Sequence, residues 1–195
     1  MVDVSLIQPV SQAAAAIGVC IAAFYHIMNL RETARNRKIA FTTSFMQNFY
    51  SKENSRRFID LLGMQWNDHA DYMTKYDSRV NPENFADRWS FLGMLDVLGY
   101  QYKAGLIDID TLYDLNWSPV LQMWIKFKPI IDEYKKSDYG EDTYANFELL
   151  ANELYRLKME RDPKWKEHRG GGSYGRGGLS PEEYDGYFTK VSKSR

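Results

Sequence analysis

The sequence predicts an all-α fold: an N-terminal transmembrane helix continuing into a cytosolic helical bundle, then a flexible Gly-rich linker and a short C-terminal amphipathic helix. Three observations carry this. An uncharged stretch, Val10 to Leu30, is followed at once by a basic cluster. Apolar residues after it recur at spacings of three, four and seven, with no run of sustained strand alternation. Helix start and stop signals punctuate that pattern at regular intervals.

The apolar stretch is long enough to cross a bilayer, because about 20 helical residues at 1.5 Å each span roughly 30 Å. Ala dominates its first half, and Ser11, Gln12, His26 and Asn29 interrupt it. A buried core helix is one alternative. A cleaved secretory signal is another, but it needs a basic segment before its apolar core. The first nine residues hold only Asp3 and no Lys or Arg. After the stretch come Arg31, Arg35, Arg37 and Lys38 against the single Glu32. By the positive-inside rule, residues 1–9 should lie outside and the rest of the chain in the cytoplasm, at the cell membrane. The same four side chains suit anionic lipid headgroups. Ala14, Gly18 and Ala22 recur every fourth residue, forming a stripe of small side chains where a second copy could pair through the span.

No proline interrupts residues 10–81, so the helix is expected to run on through a juxtamembrane segment, 31–50, with Ala34, Phe41, Phe45 and Phe49 facing inward. The helical domain should occupy 51–163. Ser51 reads as a cap for a helix ending at Gly63, with Phe58, Ile59 and Leu62 as its apolar face. Trp66 to Tyr76 reads as a third helix, with Tyr72, Met73 and Tyr76 inward. Asn81-Pro82-Glu83 is a strong helix start, combining a capping side chain, a proline in the first turn and an acid on the dipole. The helix it opens carries Phe85, Trp89, Leu92, Leu95 and Tyr102 and should stop at Gly105. A short turn around Leu112 follows. Ser118-Pro119 then reads as a new start, with Val120, Trp124, Phe127 and Ile131 inward and Pro129 as a kink. The last long helix, about Thr143 to Arg161, has Phe147, Leu150, Ala151, Leu154 and Leu157 on one side.

Gly170 to Gly178 lies within a linker assigned to 164–179. Ser180-Pro181-Glu182-Glu183 starts a helix over 180–195 that presents Tyr184, Tyr187, Phe188 and Val191 on one side. So short a helix is marginal alone in water. Its aromatic face is expected to bind a protein partner, its own domain or the membrane.

Charge narrows the classes of partner. Residues 39–163 carry 14 basic side chains against 20 acidic, whereas residues 164–195 carry 7 against 4. An acidic domain argues against nucleic acid as its main ligand, since phosphate contacts need Lys and Arg. The single cysteine, Cys20, excludes an intrachain disulfide and a Cys-based zinc cluster.

Candidate chemistry is sparse, and no catalytic, cofactor or metal residue is assigned. Asp108-Ile109-Asp110 lacks the preceding hydrophobic strand of a phosphatase nucleophile motif, and Leu112 stands where a calcium loop needs an oxygen ligand. A helix cap is the expected role of its carboxylates. Trp66-Asn67-Asp68-His69 with Asp71 is the one mixed His and carboxylate cluster, and Asp71 with Lys75 forms an i,i+4 pair. There is no Gly-rich phosphate loop.

The strings LLGMQWNDHADYMTKY, LGYQYKAGLIDIDTLYDL, KFKPIIDEYKK and NFELLANEL, in this order after an N-terminal span, resemble an uncharacterised family of single-span helical proteins common in archaea. The resemblance covers roughly residues 5–160 and leaves the Gly-rich tail outside. It implies the anchor and the helical fold, with no activity to transfer. These observations together point to a membrane-tethered interaction protein, with a signalling element or an enzyme of unrecognised site as alternatives.

Overall fold

A computed structural model describes residues 4–137, 139–163, 165, 183 and 186–190. Six helices carry nearly all of it: α1 (Val4–Phe49), α2 (Lys52–Gly63), α3 (His69–Tyr76), α4 (Pro82–Lys103), α5 (Ile109–Lys135) and α6 (Ala145–Arg161). No strand occurs among the described residues. The chain divides into two compact units, Met1–Gln47 and Asn48–Arg195.

The first unit is formed by α1, whose last two residues, Asn48 and Phe49, belong to the second. The 46 residues of the helix run unbroken, and residues 11–40 are exposed throughout. Ala34 is therefore exposed rather than inward, and from residue 11 onward the first buried position of the helix is Phe45. The window Ser11–Phe49 contains the one described helix long and apolar enough to cross a membrane.

The second unit is built on α4, α5 and α6, with α6 packed most extensively on α4 and then on α5. Its centre joins Trp124 and Phe127 of α5, Phe147 and Leu150 of α6, and Leu95 and Leu98 of α4. Local chemistry sets the helix ends. The Ser51 hydroxyl accepts from Asn54 N at 3.2 Å, and Asn81 Oδ1 accepts from Asn84 N at 3.1 Å ahead of Pro82. Gly105, at φ +70°, closes α4 in a Schellman arrangement. Its N–H donates to Tyr102 O at 2.9 Å, and the N–H of Leu106 to Gln101 O at 3.0 Å.

Several sequence-based expectations change. The helix expected from Trp66 begins at His69, because Asp68 caps it, accepting from Asp71 N at 2.8 Å. Trp66 stands before the cap as a core anchor, 2% exposed and 5.6 Å from the Phe127 ring. On α2 the buried apolar residue is Leu61, about 200° around the helix from Ile59, which is 66% exposed. On α4 the helix turns Arg88 inward and leaves Trp89 57% exposed.

The largest departure is at Pro119. No new helix starts there; α5 runs continuously from Asp108's cap through both Pro119 and Pro129. A proline inside a helix leaves the carbonyl four residues earlier without its N–H donor. Here the Tyr50 hydroxyl donates to that carbonyl, Leu115 O, at 2.7 Å. A side chain 65 residues away supplies the missing bond and lets the helix continue.

Candidate functional site

Two features stand out: the exposed apolar length of α1, and an aromatic cleft on α4. In α1, Ile17, Val19, Ile21, Phe24, Tyr25, Ile27, Met28 and Leu30 are all at least half exposed. Removing eight such side chains from water is worth on the order of 10 kcal/mol, so this surface calls for an apolar environment. Ala14, Gly18 and Ala22 lie along one exposed face of the same helix, and a Cβ added at Gly18 would meet nothing within 4 Å. Arg31, Arg35, Arg37 and Lys38 are exposed in the next turns. At 100° per residue, Arg31, Arg35 and Lys38 share a face and Arg37 stands off it.

The cleft encloses about 350 Å³ along one face of α4, and Phe85, Arg88, Trp89, Gly93 and Asp96 form that side. Tyr134 from the end of α5, and Tyr139, Thr143 and Tyr144 from the turn into α6, close the other. Phe85 stacks on Trp89 with centroids 6.0 Å apart, and Tyr134 lies 5.4 Å from Tyr139. Gly93 leaves a gap in the α4 face, since a Cβ there would meet nothing within 4 Å.

Polar groups sit at the base. The Arg88 guanidinium carbon lies 5.0 Å from the Tyr72 ring centre and 5.4 Å from that of Phe85. The Tyr72 and Tyr134 hydroxyls are 3.3 Å apart. Burial pushes the Tyr144 phenol up to about 12, with Tyr134 adding to the rise and Arg88 opposing it. Burial likewise holds the Tyr72 phenol well above its ordinary value. Both stay protonated donors at neutral pH.

The turn into α6 is strained and is stabilised from outside. Tyr144 caps α6 at φ 55°, ψ 32°, a left-handed conformation that costs a side-chain-bearing residue about 1–2 kcal/mol. It makes no side-chain cap bond. Asp96 of α4 does that work across the interface, accepting from Phe147 N at 2.9 Å and from Asn146 Nδ2 at 3.2 Å. Beside it Gly99 lets the backbones touch: a Cβ there would lie 2.0 Å from Asn146 O.

The tail residues Tyr187 and Phe188 are seated on their own domain. Phe188 is 1% exposed and stacks on Tyr155 at 3.8 Å, while the Tyr187 hydroxyl donates to Glu148 Oε1 at 2.8 Å. Lys128 Nζ lies 4.4 Å from the Tyr187 ring centre. The physical reason is apolar burial: the α5–α6 surface offers Trp124 and Tyr155 as receiving rings. Tyr184, Val191 and all of the 164–179 linker except Trp165 lie outside the described residues. Trp165 packs edge-on against Trp117 at 5.7 Å.

The acidic motifs are accounted for by helix chemistry. Asp108 caps α5, accepting from Thr111 N and Oγ1, each at 2.8 Å. Asp110 and Asp114 both pair with Arg161, the latter at 2.9 Å. Asp71 pairs with Lys75 at 2.8 Å and accepts from Asn67 N at 2.9 Å. No group of three His, Cys, Asp or Glu placed to hold a metal ion occurs among the described residues. Sequence reasoning missed Lys126, which is fully buried, donates to Met64 O and lies 4.4 Å from the Trp66 ring centre. Burial lowers its ammonium to about 8.

The family model of a domain of unknown function, DUF4760, matches residues 12–154. The chain belongs to the DUF4760 family. No curated protein and no solved structure matches it. The DUF4760 match begins inside α1 and ends inside α6, so it takes in the apolar length of α1 and every residue of the cleft. Tyr187 and Phe188 fall beyond it.

Proposed function

We propose that this DUF4760 protein is a membrane-tethered interaction protein, an accessory subunit or scaffold whose helical domain works at the cytoplasmic surface. The observation that carries the reading is α1: a continuous helix whose apolar side chains between Ile17 and Leu30 are exposed, with a basic cluster directly after them. A bilayer supplies the apolar environment, and anionic headgroups suit Arg31, Arg35, Arg37 and Lys38. The face of Ala14, Gly18 and Ala22 is where two copies would pair within the membrane. The acidic domain is a poor surface for nucleic acid.

The tail has a different role in this reading. Tyr187 and Phe188 serve as a strap on the domain, so a protein partner is met by other surfaces. A signalling role is the second reading, favoured by the unbroken run of α1 from Val4 to Phe49, which could carry a change from the span toward the domain.

Two measurements test the proposal. A reporter fused at the C-terminus should be active only as a cytoplasmic reporter, and the protein should resist alkaline carbonate extraction from membranes. Release into the soluble fraction, or activity of a reporter that folds only outside the cell, would overturn the tether. Purification of the tagged protein in mild detergent, followed by mass spectrometry, should recover a stoichiometric partner. A clean monomer with hydrolytic activity would overturn the accessory role.

A further inference from the structure

The cleft on α4 holds a buried cation that makes no direct ion pair among the described residues. Arg88 is only 3% exposed, yet the acceptors it meets are neutral: Asn84 Oδ1 at 2.8 Å and the Tyr76 carbonyl at 3.1 Å. Of the nearby carboxylates, Asp87 pairs with Arg57 at 2.8 Å, and Asp77 pairs with Arg79 at 3.0 Å while its charge reaches Arg88 only at longer range. No described carboxylate forms an ion pair with Arg88. A guanidinium offers five N–H donors in a planar fork suited to a carboxylate, and a buried charge left uncompensated is costly.

The rest of the cleft is shaped for an apolar body. Its volume of about 350 Å³ falls in the range of small-molecule sites rather than of peptide grooves. Phe85 and Trp89 line it with aromatic rings, and Gly93 leaves open space between Trp89 and Asp96 that a larger side chain would enter. Asp96 does not compete for Arg88. Eight helical residues separate the two, about 12 Å along the axis, and its oxygens are spent on the start of α6. Tyr144, in its strained backbone conformation, lines the opposite side, and strain of this kind clusters at ligand sites.

We propose that this cleft binds a small organic carboxylate with a flat aromatic body, the carboxylate held by Arg88 and the ring laid along Trp89 over Gly93. The inference is independent of the membrane tether, because every residue it uses belongs to the second unit.

The test is calorimetric titration of the full-length protein in mild detergent with 1-naphthoate and indole-3-acetate, each beside its neutral primary amide. Each acid should bind saturably at one site and at least tenfold more tightly than its amide. Gly93→Leu should abolish binding of both while leaving the circular dichroism spectrum and melt intact, since the new side chain enters open space. Arg88→Met should remove the preference for acid over amide. If the loss of the Asn84 and Tyr76 bonds unfolds that variant, Gly93→Leu and the acid-to-amide ratio in the wild type still decide the matter. Equal affinity for acid and amide would mean an apolar groove and overturn the anion site. Failure of both acids to bind, or unchanged binding by Gly93→Leu, would overturn the proposal altogether.

Discussion

Replacing Gly99 by alanine should damage this fold out of proportion to the one methyl group added. The new Cβ would lie 2.0 Å from Asn146 O, 2.4 Å from Asn146 C and 3.1 Å from Phe147 N. All three are backbone atoms, so no rotamer change relieves the clash. Restoring an ordinary contact of about 3.4 Å requires the start of α6 to move off α4 by more than 1 Å, roughly the separation that interior packing cannot absorb. That shift acts on the Asp96 to Phe147 N bond, now 2.9 Å, and on the edge-on contact of Phe147 with Trp124 at 5.1 Å. Overpacking of this kind costs about 1–3 kcal/mol, and a lost buried hydrogen bond about 1 kcal/mol more. Alanine's better helix propensity returns about 1 kcal/mol. The net expectation is a loss of about 2 kcal/mol. Gly93→Ala is the control, because its Cβ meets nothing within 4 Å and only the propensity gain applies. Urea unfolding of both variants in the same detergent, followed by circular dichroism, should separate them by about 3 kcal/mol. Equal midpoints, or a Gly99→Ala protein more stable than Gly93→Ala, would refute the close approach of α4 and α6.

Two further expectations concern buried groups. Burial lowers Lys126 to about 8 from an ordinary 10.5, so between those values the unfolded chain binds more protons than the folded one, and this group's contribution to stability rises with pH through that window. Discounted for partial screening, the change is about 1–2 kcal/mol; Lys126→Met should lose that rise when unfolding midpoints at pH 7.5 and 9 are compared with wild type, and an unaltered pH slope would contradict it. Phe188→Ala should cost about 3 kcal/mol by removing a ring that is 1% exposed and stacked on Tyr155, whereas an unchanged melting temperature would mean the tail does not strap its own domain in solution.

What the sequence made legible was local chemistry. Ser51, Asn81-Pro82 and Gly105 mark helix ends because their capping groups lie within a few residues of what they cap. The inward faces of α5 and α6 were readable for a similar reason, since Val120, Trp124, Phe127, Ile131 and the Phe147 to Leu157 series keep one helical phase. The errors at Pro119 and on α4 share a cause: each depends on a contact with another element. Pro119 reads as a helix start until Tyr50 is known to reach Leu115 O. Trp89 reads as core until the Tyr76 carbonyl and Asn84 are seen to accept from the guanidinium of its neighbour Arg88. Gly99 carries no signal of its own, because a glycine in a helix reads only as a weak position until α6 is placed against it. The cleft was invisible for the same reason, its two sides coming from segments about 40–60 residues apart on separate elements.

The close approach and the cleft are parts of one joint. Tyr144 gives α6 no cap of its own and holds a conformation that costs about 1–2 kcal/mol. The compensation comes from α4, where Asp96 caps Phe147 N and Gly99 admits Asn146 against the helix backbone. Both lie on α4 just beyond the stretch that carries Arg88, Trp89 and Gly93. The same contact that fixes the start of α6 therefore fixes the turn bearing Tyr139, Thr143 and Tyr144, which is the far wall of the cleft. An α6 with an ordinary Ser or Asp cap would start equally well without α4, and the wall would then be free to vary. By placing the cap on α4, the fold makes the shape of the cleft a consequence of its largest helix interface.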